Sequence, residues 1–248
     1  MKTKLIMVVI TMVAFTFSGN SVADAQTGVK GGLNLANVDA DFPDEFDTSY
    51  RTGLAIGLFH HFEMSESFGF RPELMYVQKG YAASGSFVID YDFFGETFEM
   101  EVDTEIQLEL DYVDFVLPAI YMINPAEQVS PQIFAGPYAG FNVGATTEVS
   151  MEMSAEGISE SMSESEDISD EVSSLDYGLI FGGGIRIQAG AGHLTADIRY
   201  NLGLADILEE VDDFDDDFDD FINGNDFDEE PDDEIFNRGI MLTIGYQF

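Results

Sequence analysis

Residues 238–248 read Arg238-Gly-Ile-Met-Leu-Thr-Ile-Gly-Tyr-Gln-Phe248. Ile240, Leu242, Ile244, Tyr246 and Phe248 share one parity, and Met241, Thr243, Gly245 and Gln247 share the other. Side chains alternate across a strand, so this stretch predicts a β-strand with one apolar face and one small or polar face. A strand of a soluble sandwich would alternate in the same way. A last residue that is aromatic and lies on the apolar face points instead to a strand that closes a sheet in lipid, and the rest of the sequence decides between the two.

The same period of two recurs seven times upstream, at about 28–38, 50–62, 68–82, 110–123, 131–145, 175–188 and from Leu194 to Leu204. The connections alternate. Those at 39–50, 84–109, 147–174 and 206–236 are long and acidic; those at 63–67, 124–130 and 189–192 are short. A sandwich has no reason to segregate its loops by length, whereas an outer-membrane barrel has short turns on one side and long loops on the other. In lipid every strand must pair on both edges, so the sheet has to close. The expectation is therefore an all-β protein: an eight-stranded antiparallel transmembrane β-barrel with short periplasmic turns, long acidic extracellular loops, and both termini periplasmic. Within 84–109 acids alternate with Phe, Val and Ile around Gly95, which predicts a solvated hairpin continuing two strands beyond the membrane. The Ser/Glu/Met stretch 147–173 is low in complexity and is expected to be mobile.

Positive charge provides a separate check. Of the seven Lys and Arg after residue 25, six (Lys30, Arg51, Arg71, Lys79, Arg186 and Arg199) fall on the inward parity of a strand, and Arg238 lies at a strand start. Glu73, Asp114 and Asp197 share the inward parity, so the interior is expected to hold a network of charge pairs instead of unpaired ions, which are costly in a low dielectric. The outward aromatics Phe62, Phe68, Tyr76, Tyr121, Tyr200, Tyr246 and Phe248 suit the girdles that mark membrane interfaces.

Lys2 and Lys4 precede an uncharged run from Leu5 to Phe17, and Ala23-Asp-Ala25 follows, so about residues 1–25 read as a signal peptide and 26–248 as one barrel domain. With no cysteine, disulfides and thiolate metal sites are excluded. The formal charge is −39, and 41 of the 48 acids fall in 39–50, 84–111, 147–176 and 206–236. Such a charge repels nucleic acid.

The blocks GVKGGLNLANV (28–38), FGFRPELMYVQKGY (68–81), LDYVDFVLPAIYMI (110–123), PQIFAGPYAGFNVGA (131–145) and GYQF (245–248) resemble the PorT-like outer membrane β-barrel family of Bacteroidetes. The resemblance implies a porin-like barrel in the outer membrane of a Gram-negative cell envelope. Its partners would be lipid, the barrel assembly machinery and other envelope or secretion proteins. Tyr246 and Phe248 would be the assembly signal. The acid-rich loops are similar to those of halophilic bacteria.

Three candidate sites remain. Asp212, Asp213, Asp215, Asp216, Asp217, Asp219 and Asp220 offer hard oxygen ligands for a weak divalent-cation site, but lack the Gly and terminal Glu of an EF-hand, and a solvated loop is the simpler reading. His60 and His61 are adjacent on a strand and point to opposite faces, so with His193 they read as structural or interfacial. The inward charges line either a solute path or a packed interior, and eight strands leave room only for side chains. GxSxG, HExxH and P-loop patterns are absent, and no cofactor is implied. The leading expectation is a non-enzymatic barrel with a structural or surface-interaction role; a component of a protein secretion or transport apparatus, or a narrow porin, is the alternative.

Overall fold

The computed structural model describes residues 26–39, 46–93, 96–155, 158–169, 171–207 and 235–248. The signal-peptide expectation for 1–25 and the aspartate cluster Asp212–Asp220 lie outside the described residues. The elements are all strands: β1 (Thr27–Asp39), β2 (Phe46–Ser49), β3 (Arg51–His60), β4 (Phe62–Glu63), β5 (Phe68–Phe70), β6 (Glu73–Phe93) and β7 (Glu96–Val116). They continue with β8 (Ala119–Met122), β9 (Val129–Ala155), β10 (Ile158–Asp167), β11 (Leu175–Ala189), β12 (Gly192–Asp206) and β13 (Phe236–Gln247).

Hydrogen bonding runs β11-β12-β13-β1-β3-β6-β7-β9, and β9 also pairs with β11, so the antiparallel ladder returns to its start through eight strands. The closing strand β13 pairs with β1 from Gly28↔Gln247 to Asp39↔Phe236. Phe248 N donates to Thr27 O at 2.9 Å, which puts both ends of the described ring on the side of the short turns. Three proline positions interrupt the ladder and split the wall into β3/β4, β5/β6 and β7/β8. Pro72, Pro118 and Pro137 have no N–H to give. Their carbonyls still accept from His60, Arg71 and Leu117 at 3.0 Å each, so the strands pass the gap in register.

The alternation places the faces. Among outward residues, Leu33, Leu54, Ile56, Ile133, Phe181, Ile198, Leu242 and Ile244 are exposed, while inward Lys30, Arg71, Glu73, Lys79, Asp114, Asp197 and Arg199 are buried. A soluble monomer seldom exposes so continuous an apolar surface. On β5 and β6 the apolar outward run goes from Phe68 to Tyr76, matching the roughly 9–11 residues that a tilted strand needs to cross lipid. It ends where Tyr76 Oη donates to Asp111 at 2.8 Å and Gln78 donates to Glu109 at 2.8 Å.

Two of the four long connections carry regular structure over most of their length. Most of 84–109 and 147–174 is strand: β6 and β7 stay paired to Phe93↔Glu96, and β9 turns back as β10 from Ala155↔Ile158 to Thr146↔Asp167. The first matches the predicted hairpin. The second, expected to be mobile, is ordered because its Ser/Glu/Met alternation has period two and β7 supplies a ten-residue-long partner from Leu110↔Ala145 to Glu101↔Ser154. With β2 paired to β6, these strands form a five-stranded outer sheet, β2-β6-β7-β9-β10, that continues the wall.

Candidate functional site

The inward charges form two layers. In the layer nearer the short turns, Glu73 Oε1 accepts from Lys30 Nζ at 2.5 Å and Arg71 Nε at 3.0 Å, and Oε2 accepts from Arg199 Nη1 at 2.9 Å. Asp197 accepts from Arg71 Nη2 and from Gln132 Nε2, both at 2.7 Å. Arg71 also lies over the rings of Phe59 and Phe134, at 5.6 and 5.2 Å from their centroids. In the second layer, Lys79 Nζ donates to Asp114 at 3.1 Å and to Asp176 at 2.9 Å, between the rings of Tyr112 and Tyr138. Asn237 Nδ2 and the Tyr138 hydroxyl donate to the same Asp176 carboxylate, at 3.1 and 3.2 Å. The first layer joins three cations to two carboxylates and the second joins one cation to two, so the two layers together are neutral. That balance is what allows charge to be buried at all.

Two of the expected network residues stand apart. Arg51 pairs with Glu109 at 2.7 Å on the side of the long connections, and Arg186 pairs with Glu63 at 3.7 Å on the side of the short turns. Lys30, Arg71, Glu73, Asp197 and Arg199 come together, as do Lys79 and Asp114. The expected set omits Asp176, Gln132, Tyr138 and Asn237. Asp176 was legible in principle, since it shares its parity with Gly178, Gly184 and Arg186, but it adjoins an acidic segment and reads as part of it.

Beyond the second layer lies an apolar cluster of the buried residues Val38, Leu108, Leu110, Tyr112, Ala145, Val172 and Ile207. Val172 lies between β10 and β11, where Ser173 N donates to Ile207 O at 2.9 Å and Asn142 N donates to Ser174 O at 3.1 Å. At the opposite end His61 is buried, while the His60 ring Nδ1 lies 2.8 Å from Thr27 Oγ1, so the two rings do point apart. Among the described residues no group of His, Asp and Glu has the geometry to hold a metal. Phe62 and Phe70 pair across strands, Phe68 pairs with Tyr121, and Tyr246 stacks edge-on to Phe248 at 5.5 Å, an aromatic band around this end.

The outer sheet carries a second surface. Its outward face has the rows Ser84-Glu105-Ser150-Ser163 and Ser86-Asp103-Glu152-Ser161. Its inward face has Ala83-Ile106-Val149, Gly85-Thr104-Met151-Met162 and Phe87-Val102-Met153. A β-bulge makes this possible. β9 has one extra residue where Asp111↔Gly144 is followed by Tyr112↔Asn142. A bulge flips the parity of everything beyond it. Inward residues of β9 are therefore even-numbered up to Asn142 and odd-numbered from Ala145. The step from wall to outer sheet on β6 is at Gly80, whose φ is +114°. A Cβ there would lie 1.9 Å from Leu108 O, so only glycine fits.

Solved structures with a similar arrangement include Ail, the attachment invasion locus protein of Yersinia pestis, in complex with the heparin analogue sucrose octasulfate (16% identity, 91% of this chain and 99% of that one, TM-score 0.35). Neisserial surface protein A has 10% identity over 90% of this chain and 98% of its own, with a TM-score of 0.38. The N-terminal β-barrel domain of Pseudomonas aeruginosa OprF has 12% identity over 91% and 100%, with a TM-score of 0.29. No curated protein sequence matches this chain. The sequence does match the outer membrane protein beta-barrel domain over residues 17–209, a broader assignment than the PorT-like resemblance. This all-β, antiparallel chain belongs to the outer membrane protein β-barrel family, and its place is the outer membrane of a Gram-negative cell.

Proposed function

We propose that the eight-strand ring is a transmembrane barrel that conducts no solute and serves, without catalysis, as a rigid support for the acidic outer sheet, with the termini and short turns in the periplasm. The observation that carries this reading is the filling of the interior: Glu73 is held by three cations, Lys79 by two carboxylates, and Val172 and Ile207 sit in the apolar cluster beyond them. Eight strands enclose a space that side chains can fill. The support therefore has no path for a substrate, and its contacts are made by the strands that outrun the membrane. Planar-bilayer recording of the purified full chain tests the reading directly. Only baseline current is expected, and a stable open-channel conductance would sink it.

In the same reading Tyr246 and Phe248 are the signal that the barrel assembly machinery recognises. Removing Phe248 should leave the precursor normally processed but prevent the heat-modifiable, folded form from accumulating in the outer membrane. Wild-type levels of folded protein would remove that role.

A further inference from the structure

The outer sheet has two unlike faces, and the inward one ends in an unusual edge. On β10, Glu160, Met162, Glu164 and Glu166 share one parity and lie on the same side of the sheet as Phe87, Val149, Met151 and Met153. Phe87, Ile89, Met151 and Met162 are exposed on it, Met162 at 59%. The surface is thus an apolar strip bordered by carboxylates. The sequence from residue 80 to residue 185 contains no Lys, Arg or His, so none of the five strands supplies a cation above the Lys79 level. Every Lys and Arg among the described residues is already in an ion pair elsewhere. Methionine adds a further property, since its unbranched, polarizable side chain adapts to differently shaped apolar partners.

We propose that the inward face of the outer sheet is a docking surface for a cationic amphipathic peptide segment, its apolar side chains against Phe87, Met151 and Met162 and its basic ones against Glu160, Glu164 and Glu166. This rests on the reading of the sheet as extracellular. Charge complementarity selects this occupant. A second copy of the chain would bring carboxylates against carboxylates, and an anionic lipid surface would be repelled in the same way.

The absence of native cysteine makes the test clean. Full-length protein, folded in detergent, is titrated with a fluorescent Leu/Lys amphipathic peptide and, separately, with oligolysine of equal charge, followed by anisotropy. Above its binding to protein-free micelles of the same detergent, the amphipathic peptide should bind more tightly than oligolysine, and the paired, charge-neutral change Met151→Gln and Met162→Gln should weaken it by about tenfold or more, as expected for losing buried apolar contacts. Replacing Glu160, Glu164 and Glu166 by Gln should weaken it and flatten its dependence on salt. Retained heat-modifiable mobility certifies that each variant is folded. Equal binding of both peptides, insensitivity to the Met variants, or concentration-dependent dimerisation without peptide would overturn the proposal. Ser163→Cys labelled on intact cells by an impermeant maleimide separates the two levels of the argument. Failure to label removes the extracellular reading itself, whereas labelling without peptide binding removes only the docking surface.

Discussion

The wall and the outer sheet are built from the same strands and have opposite faces. On β6, the wall turns Leu74 and Tyr76 outward and buries Glu73 and Lys79, while above Gly80 the strand turns Ser84 and Ser86 outward and Phe87 inward. The period is two throughout; only the surroundings change. Lipid rewards apolar side chains and excludes ions from the outer surface, so charge goes inside and must be paired there. Once the strands leave lipid, water takes the outer surface and the apolar parity becomes the inner one. A polarity pattern therefore identifies a strand, and in the proposed reading its inversion along one strand sets the membrane boundary, here between Tyr76 and Ala82.

Three substitutions probe that inversion. Glu73→Ala should have the largest effect. It leaves Lys30, Arg71 and Arg199 buried with one carboxylate fewer, and removing one partner of a buried pair typically costs about 3–5 kcal/mol. Urea unfolding of the detergent- or lipid-folded protein would show it as a lower midpoint; an unchanged midpoint would mean that the interior is wet enough to solvate the cations. Next comes Ile198→Arg, on the outward face of the wall. Arginine on the lipid face near midplane should cost about 2–4 kcal/mol by the same assay in bilayers. Smallest is Glu105→Arg, which has the same outward orientation but sits in the outer sheet, and surface changes of this kind stay within about 0.5 kcal/mol. Comparable losses for Ile198→Arg and Glu105→Arg would erase the boundary between the two regions.

The faces of the strands were legible because period two is a local property. Ile240 to Phe248 against Met241 to Gln247 needs no knowledge of what lies opposite. The inward placement of Lys30, Arg71, Lys79 and Arg199 was legible for the same reason. The loops were less so. Low complexity in 147–173 reads as mobility until β7 is known to stand beside it, since an isolated hairpin of Ser, Glu and Met has little to hold it. Asp176 was hidden by its acidic neighbours, and Asn237 by the absence of charge.

By itself, then, the chain specifies its strands, their two faces, their antiparallel succession and the side on which cations must lie, since these follow from local alternation and from the energetic cost of an ion or an unpaired backbone group in lipid. Tertiary structure alone decided which charges meet. Glu73 gathers Lys30, Arg71 and Arg199, and Lys79 takes Asp114 and Asp176, because partners 126 or 97 residues apart are brought together by strand register around a closed ring. It also decided, through one bulge in β9 and the left-handed Gly80, that the apolar face of the outer sheet continues the inside of the wall.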